Sequence, residues 1–215
     1  METNVNSKSL KEVLRLRRSV RSFALKEIPA EDIKEIVEAA LLAPYAAATG
    51  IAPNEIRKVF VFRQNTEAMT KARELIHSQI KGNAKKMNMM LRFLPFLREK
   101  MQSFANKLNS ISSTGIPSLT EASHYLVVAA KKGFPPMEKQ SLAHALQNMW
   151  LRAADLGYGF QLMSATGMMA KNAEFMKLLG LSVGEYEIDG CVIGVLKAKP
   201  EPKKEIPYDE CVRWL

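Results

Sequence analysis

Two cysteines, Cys191 and Cys211, and three histidines, His77, His124 and His144, are all that this 215-residue chain has of the usual disulfide and metal-ligand chemistry. The cysteines form no C-x-x-C pair, which excludes a disulfide framework and a structural zinc site and suits a reducing cytoplasm. The histidines are scattered without metal-ligand spacing and read as structural residues. Aromatic residues make up only 7% of the chain, and no interleaved aromatic platform for nucleic acid stands out. No apolar run approaches the roughly 18 residues of a membrane span. The polar stretch Met1 to Lys8 lacks the apolar core of a signal peptide, and the expected location is cytoplasmic. No G-x-G-x-x-G follows a strand and no G-x-x-x-x-G-K-[ST] occurs. No Ser-His-Asp or Cys-His arrangement is legible, so an enzyme built on this chain would lean on a bound cofactor.

Acids are scarce as well. Lysine and arginine number 31 against 22 aspartates and glutamates, a formal charge of +9. Such a balance raises nucleic acid, anionic membrane or anionic cofactor as partners and says nothing about fold.

The densest chemistry lies in Arg17-Arg18-Ser19-Val20-Arg21-Ser22-Phe23, where three guanidiniums and two hydroxyls fall within seven residues. Planar bidentate donors beside small hydroxyls suit a phosphate. The stretch closes an amphipathic segment, Ser9 to Arg18, for which Ser7 or Ser9 is the N-cap. Pro29, Glu31 and Asp32 open a second helix with Ile33, Ile36, Val37, Ala40 and Leu41 on one face, ending before Pro44. Lys58 to Phe62, Tyr125 to Ala130 and Tyr186 to Leu196 are β-branched or apolar and read as strands. Helical periodicity runs through Thr66 to Ile80, Glu138 to Leu156 and Met169 to Leu179, with Gly157 and Gly180 as stops. Helices that outnumber strands and alternate with them place the chain in the α/β or α+β class.

Residues 1–215 read as one domain with a helical, basic, Met-rich excursion at about 81–117. Lys81, Lys85, Lys86, Arg92, Arg98, Lys100 and Lys107 face a single acid, Glu99. Two short helices broken near Pro95 are expected, then a linker from Asn109 to Ser118. The excursion reads as a lid over a pocket, as a basic amphipathic element that sits on membranes or partners, or as a helical element packed on the core.

Taken together, Arg17 to Phe23, the Ala43-Pro44 helix end, Leu146-Gln147-Asn148-Met149 leading into Leu156-Gly157-Tyr158-Gly159, and the tail from Lys203 to Val212 resemble the nitroreductase family of flavoproteins. The resemblance implies an α+β, nitroreductase-like fold with a central, mostly antiparallel sheet flanked by helices. It implies a homodimer with FMN at the subunit interface and ping-pong electron transfer from NADH or NADPH to a nitroaromatic, quinone or similar electron-poor acceptor. Carried over by position, Arg17 and Ser19 would hold the FMN phosphate, with Arg18 and Arg21 near the phosphate, ribityl chain or pyrimidine edge. Pro44, Tyr45 and Ala46 would approach the ring from the other subunit. Leu162, Met163, Ser164 and Ala165 would turn backbone N–H groups toward the ring, and Lys203 or Lys204 would add a late phosphate contact. One alternative keeps the flavin but takes electrons from ferredoxin or another protein that docks on the basic segment. Another, of a different class, is a basic nucleic-acid- or membrane-binding protein, which the lack of a recognised module disfavours.

Overall fold

The computed structural model describes residues 8–45, 50–201, 203 and 206–215. Helix α1 (Leu10–Leu16) is opened by Ser9. The Ser9 hydroxyl accepts from the Glu12 N–H, and the Glu12 carboxylate accepts from the Ser9 N–H at 2.7 Å, a reciprocal capping box. Arg17 is the C-cap, so the rest of the arginine cluster lies in extended chain rather than in the helix expected through Arg18. Helix α2 (Ala30–Leu41) buries Ile33, Ile36 and Ala40 and ends before Pro44, as its pattern predicts, and a single turn, α3 (Pro53–Ile56), precedes the first long strand.

Strands β2 (Arg57–Arg63), β3 (His124–Lys131) and β5 (Tyr186–Leu196) are the three apolar runs read from the sequence. Two short strands complete the sheet: β1 (Phe23–Ala24) and β4 (Gly159–Leu162). The order is β1-β5-β3-β2, with β4 also on β5, and every pairing between these strands is antiparallel. Along one edge of β5, β4 covers Cys191 to Gly194 and β1 covers Val195 and Leu196.

Side chains alternate between the faces of the sheet, as a pleated strand requires. Leu126, Val128, Cys191 and Ile193 pack with α2 and with Leu142, Leu146, Met149 and Trp150 of α7 (Glu138–Asp155). Tyr125, Val127, Ile188 and Val192 pack on the opposite face with Met69, Ala72, Ile76 and Ile80 of α4 (Glu67–Phe93). Helices therefore cover both faces of an α+β domain.

The excursion is more helical than expected. Helix α4 does not stop at Ile80 but runs to Phe93, because Ala84 and Leu91 extend its buried stripe. A 3₁₀ turn at Pro95–Leu97 reverses the chain into α5 (Arg98–Thr114), so most of the expected linker is helix. Gly115, at φ +79°, ends α5 before the short α6 (Pro117–Glu121). The expected helix from Met169 to Leu179 is instead split. Helix α8 (Ser164–Met168) leads into a 3₁₀ turn, and Asn172 then caps α9 (Ala173–Leu178) through its side chain on the Phe175 N–H at 3.0 Å. Among the described residues, no helix is long and apolar enough to cross a membrane.

Candidate functional site

The arginine cluster is anchored from behind. Ser19 bridges Phe160 of β4 in parallel, and the Val20 N–H donates to the Phe160 carbonyl at 3.0 Å. Phe160 stacks on Trp150 of α7 with ring centroids 5.1 Å apart. The Trp150 indole N–H donates to the Arg18 carbonyl at 3.2 Å, and the Arg17 guanidinium stands 4.2 Å from the Trp150 ring centroid. Trp150 thus fixes the backbone of one arginine and the side chain of its neighbour. Phe23 closes the stretch by entering the core where β5 has a glycine. A Cβ on Gly194 would lie 2.6 Å from Phe23 Cδ1, so only glycine leaves room there.

The tail returns to the same place. Lys203 Nζ donates to the Leu14 carbonyl of α1 at 2.9 Å. Burial holds Lys203 below the ordinary lysine value, and the neighbouring charges of Arg17 and Arg18 lower it further. Among the described residues, no carboxylate pairs with Arg17, Arg18, Arg21 or Lys203. Three cations drawn together without an anion form a site whose missing member is negative.

Two residues beyond the Ser19–Phe160 bridge, β4 ends at Leu162. The Met163 N–H donates to the Gly190 carbonyl at 2.8 Å, turning the chain into α8. Met163 and Ala165 are buried in the core while Leu162 and Ser164 face outward. Met163 and Ala165 can therefore meet a ligand only through backbone. The first-turn N–H groups of α8, from Ser164 and Ala165, have no intrahelical carbonyl to meet. A cleft of about 900 Å³ opens beside this turn, with Ser164, Gly167, Lys132, Lys139, Lys171 and Asp189 among its walls. Burial pushes the Asp189 carboxyl above the usual range, partly offset by the Gly190 N–H that donates to Oδ1 at 2.8 Å. A smaller apolar groove of about 290 Å³ shares Asn83 and Met168 with that cleft and extends along Met87, Met90, Phe104 and Leu108.

The Ala43–Tyr45 loop has its own anchor, which sequence reasoning missed. Arg57, the first residue of β2, is only 2% exposed. Its Nη1 donates to the carbonyls of Ala40 and Ala43, each at 2.7 Å, and its Nη2 donates to those of Pro44 at 3.0 Å and Ser141 at 3.3 Å. Its guanidinium also lies 4.3 Å from the Tyr45 ring centroid. One side chain thus satisfies the carbonyl end of α2 and fixes the loop that follows. Arg57 touches Ser141 while Arg17 touches Trp150, nine residues further along α7, about 14 Å at helical rise. Of the expected site residues, Arg17, Arg18, Ser19 and Lys203 are brought together, with Leu162 to Ala165 alongside. Arg21 is exposed nearby in sequence, and Pro44 and Tyr45 belong to the separate neighbourhood around Arg57. Ala46 and Lys204 lie outside the described residues. Trp150 was legible as an inward residue of α7 but not as the shelf for Arg17. An arginine opening an apolar strand was the available sign of Arg57.

An antiparallel sheet clad by helices, with a cationic anchor beside an edge strand, is the architecture of a known class of proteins. Over residues 14–195 the chain matches the Nitroreductase family, and it belongs to that family. Among solved structures, an FMN-bound nitroreductase from Bacteroides fragilis is similar at 20% identity, covering 97% of this chain and 100% of that one, with a TM-score of 0.69. A BluB-like flavoprotein from Clostridium difficile is similar at 20% identity, 97% and 99% coverage and a TM-score of 0.70. A Bacteroides thetaiotaomicron protein described as an NADH dehydrogenase/NAD(P)H nitroreductase is similar at 15% identity, 96% and 97% coverage and a TM-score of 0.60. No curated protein matches the chain in sequence.

Proposed function

We propose that the protein is an FMN-dependent oxidoreductase that takes two electrons from NADH or NADPH and passes them to a nitroaromatic, quinone or similar electron-poor acceptor. The observation that carries this reading is the convergence of Arg17, Arg18 and Lys203 on one site, with no carboxylate paired to them among the described residues, in a chain of this family. The donor set fits FMN: a phosphate dianion accepts several charge-assisted hydrogen bonds, and guanidinium, ammonium and the Ser19 hydroxyl supply them. Arg17 and Ser19 bind the phosphate, Lys203 and Arg18 neutralise it, and Arg21 lies toward the ribityl chain or pyrimidine edge. The backbone of Leu162 to Ala165 orients the ring, with N–H donors at the first turn of α8. FMN, when bound, supplies the redox chemistry, accepting two electrons from the nicotinamide and delivering them to the acceptor.

The protein acts as a homodimer in this reading, and Pro44 and Tyr45, held by Arg57, reach the partner's flavin. Support comes from the distance along α7 between the two neighbourhoods, and from exposed Leu10, Leu14, Leu41, Leu42, Tyr208 and Trp214, apolar surface that a second subunit would cover. An absorption spectrum and anaerobic titration with NADH and NADPH test the function. The expected protein is yellow, with flavin absorption that bleaches with one equivalent of donor per flavin. A colourless protein that ignores added FMN overturns the reading. A light-scattering mass of one 24.1 kDa chain overturns the dimer.

A further inference from the structure

We infer that the tip of the α4–α5 hairpin docks on an anionic lipid bilayer, Phe93, Leu94 and Phe96 entering the interface while Arg92, Arg98 and Lys100 engage the headgroups. The hairpin outgrows the domain it springs from. The buried residues of α4 belong to the sheet's core as far as Ala84. Beyond it the half-buried Met87 still packs against that core, while the buried Leu91 of α4 and Ala105 of α5 belong to neither of the two cores and hold the hairpin together. The six residues of α4 beyond Met87 carry the tip about 9 Å outward at helical rise.

The apex is apolar where solvent exposure is greatest. Phe93 is 74% exposed and Phe96 73%, with Leu94 between them and Pro95 bending the turn. Basic residues bracket that apex on both helices. On α4, Lys85, Met89 and Arg92 form one stripe, and Met89 is 61% exposed; on α5, Lys100, Phe104 and Lys107 form another, and Phe104 is 56% exposed. Glu99 is the one acid from Lys81 to Lys107, and none of the seven basic residues there forms an ion pair among the described residues. Aromatic and aliphatic side chains at the acyl boundary with lysine and arginine reaching back to phosphate are the pattern of interfacial binding.

The shape favours a bilayer over other occupants. The turn at Pro95–Leu97 takes no part in the apolar groove along Met87, Met90, Phe104 and Leu108, and a flat acidic protein would leave two phenyl rings uncovered. A second copy is disfavoured by charge, because tip-to-tip contact would bring two uncompensated basic clusters together. That no helix among the described residues is long and apolar enough to span a membrane is no obstacle, since docking of this kind is peripheral. The basic composition raises an anionic membrane as a partner without placing it; the concentration of exposed aromatic rings at one basic apex is what the fold adds.

The test uses the full-length, FMN-loaded protein with phosphatidylcholine vesicles, with and without phosphatidylglycerol. Co-sedimentation is expected with the anionic vesicles only and should fall as salt rises. Phe93→Ser with Phe96→Ser should weaken partitioning by about tenfold per ring, and each of Arg92→Gln and Lys100→Gln by about fivefold. These positions are exposed, so flavin content and activity toward a soluble acceptor should be unchanged. Independently, Phe93→Trp should blue-shift on anionic vesicles and be quenched by brominated acyl chains. Absence of vesicle binding, an unshifted Phe93→Trp, or binding that the serine variant retains overturns the proposal. So does a serine variant that changes the mass in solution, which makes the tip a subunit contact, or one that loses only reduction by an acidic protein donor.

Discussion

The guanidinium of Arg17 stands 4.2 Å from the centroid of the Trp150 ring, and the same indole donates its N–H to the carbonyl of Arg18. A cation over an indole face is stabilised by about 0.5–2 kcal/mol, depending on how far it is desolvated. The contact also removes most of the rotamer freedom that an arginine would lose on meeting a ligand. The edge of the guanidinium remains free to donate. Trp150 is thereby the reason that a basic cluster behind a short helix becomes a preorganised anion site.

Replacing Arg17 should therefore act on cofactor retention before it acts on folding. Charge-assisted hydrogen bonds contribute about 1.5–3 kcal/mol each, so Arg17→Ala should weaken FMN binding by about 10- to 100-fold. Arg17→Lys should recover only part of this, because an ammonium cannot form the bidentate fork. Fluorescence of flavin released on dilution measures both. Unchanged occupancy in Arg17→Ala would remove the phosphate assignment.

Arg57 should behave in the opposite way, with stability affected first. Arg57→Met keeps much of the buried volume but takes a donor from the carbonyls of Ala40, Ala43, Pro44 and Ser141, of which Ala40 keeps the Ala43 N–H. Unmet buried acceptors cost about 1–3 kcal/mol apiece where water cannot reach them. With partial relaxation of the loop, a loss of about 3 kcal/mol is expected by urea denaturation. Arg57→Lys should fare little better, since one ammonium cannot span carbonyls on α2, the loop and α7. A near-native midpoint for either variant would show that the loop is held by other contacts.

How much of this was open to sequence reading depended on the range of the interactions. Helices α2 and α7 and the strands near 58–62, 125–130 and 186–196 carry their own apolar periodicity, and the structure has each of them. Strand β4 has no signal of its own, because four residues led by Gly159 lack strand propensity and become a strand only by pairing with β5. Helix α4 was cut at Ile80 because charge density in the next turns masked the wider spacing of Ala84 and Leu91. At the site, Arg17 to Arg21 were legible from local chemistry alone. Arg57 and Trp150 were not, since their partners lie 13 to 132 residues away in the chain.

Asp189 offers a prediction in pH. Burial raises its carboxyl above the ordinary aspartate range, so the folded protein binds this proton more tightly than the unfolded chain does. Stability must then fall as pH rises from the ordinary aspartate value through the raised one, and the deficit is constant above it. Asp189→Asn cannot ionise and should not share that fall. The stability of the variant relative to the native protein, followed by urea denaturation in the flavin-free state, should therefore increase with pH across this window. A difference that does not vary with pH would mean that the carboxyl is unperturbed.

Gly194 links the sheet to the arginine cluster through a single steric contact. An alanine Cβ there would lie 2.6 Å from Cδ1, 2.9 Å from Cγ and 3.0 Å from Cβ of Phe23. Phe23 is fully buried, so it cannot swing aside without moving β1 away from β5. Because Val20 is bonded to Phe160 just upstream, that movement should reach Ser19 and Arg17 as well. Overpacking of this kind costs about 1–3 kcal/mol, and Gly194→Ala should lose stability and flavin affinity together. Phe23→Ala removes Cδ1 and Cγ and leaves only Cβ, so Gly194→Ala in a Phe23→Ala background should cost less than it does alone, a coupling that a double-mutant cycle measures directly. Gly190 provides the contrast: its added Cβ would meet the Leu126 carbonyl oxygen at 2.7 Å. Backbone at the centre of the sheet cannot be trimmed by mutation, and Phe23→Ala should do nothing for Gly190→Ala. Additive losses in the Gly194 cycle would show that Phe23 yields without transmitting the strain to the site.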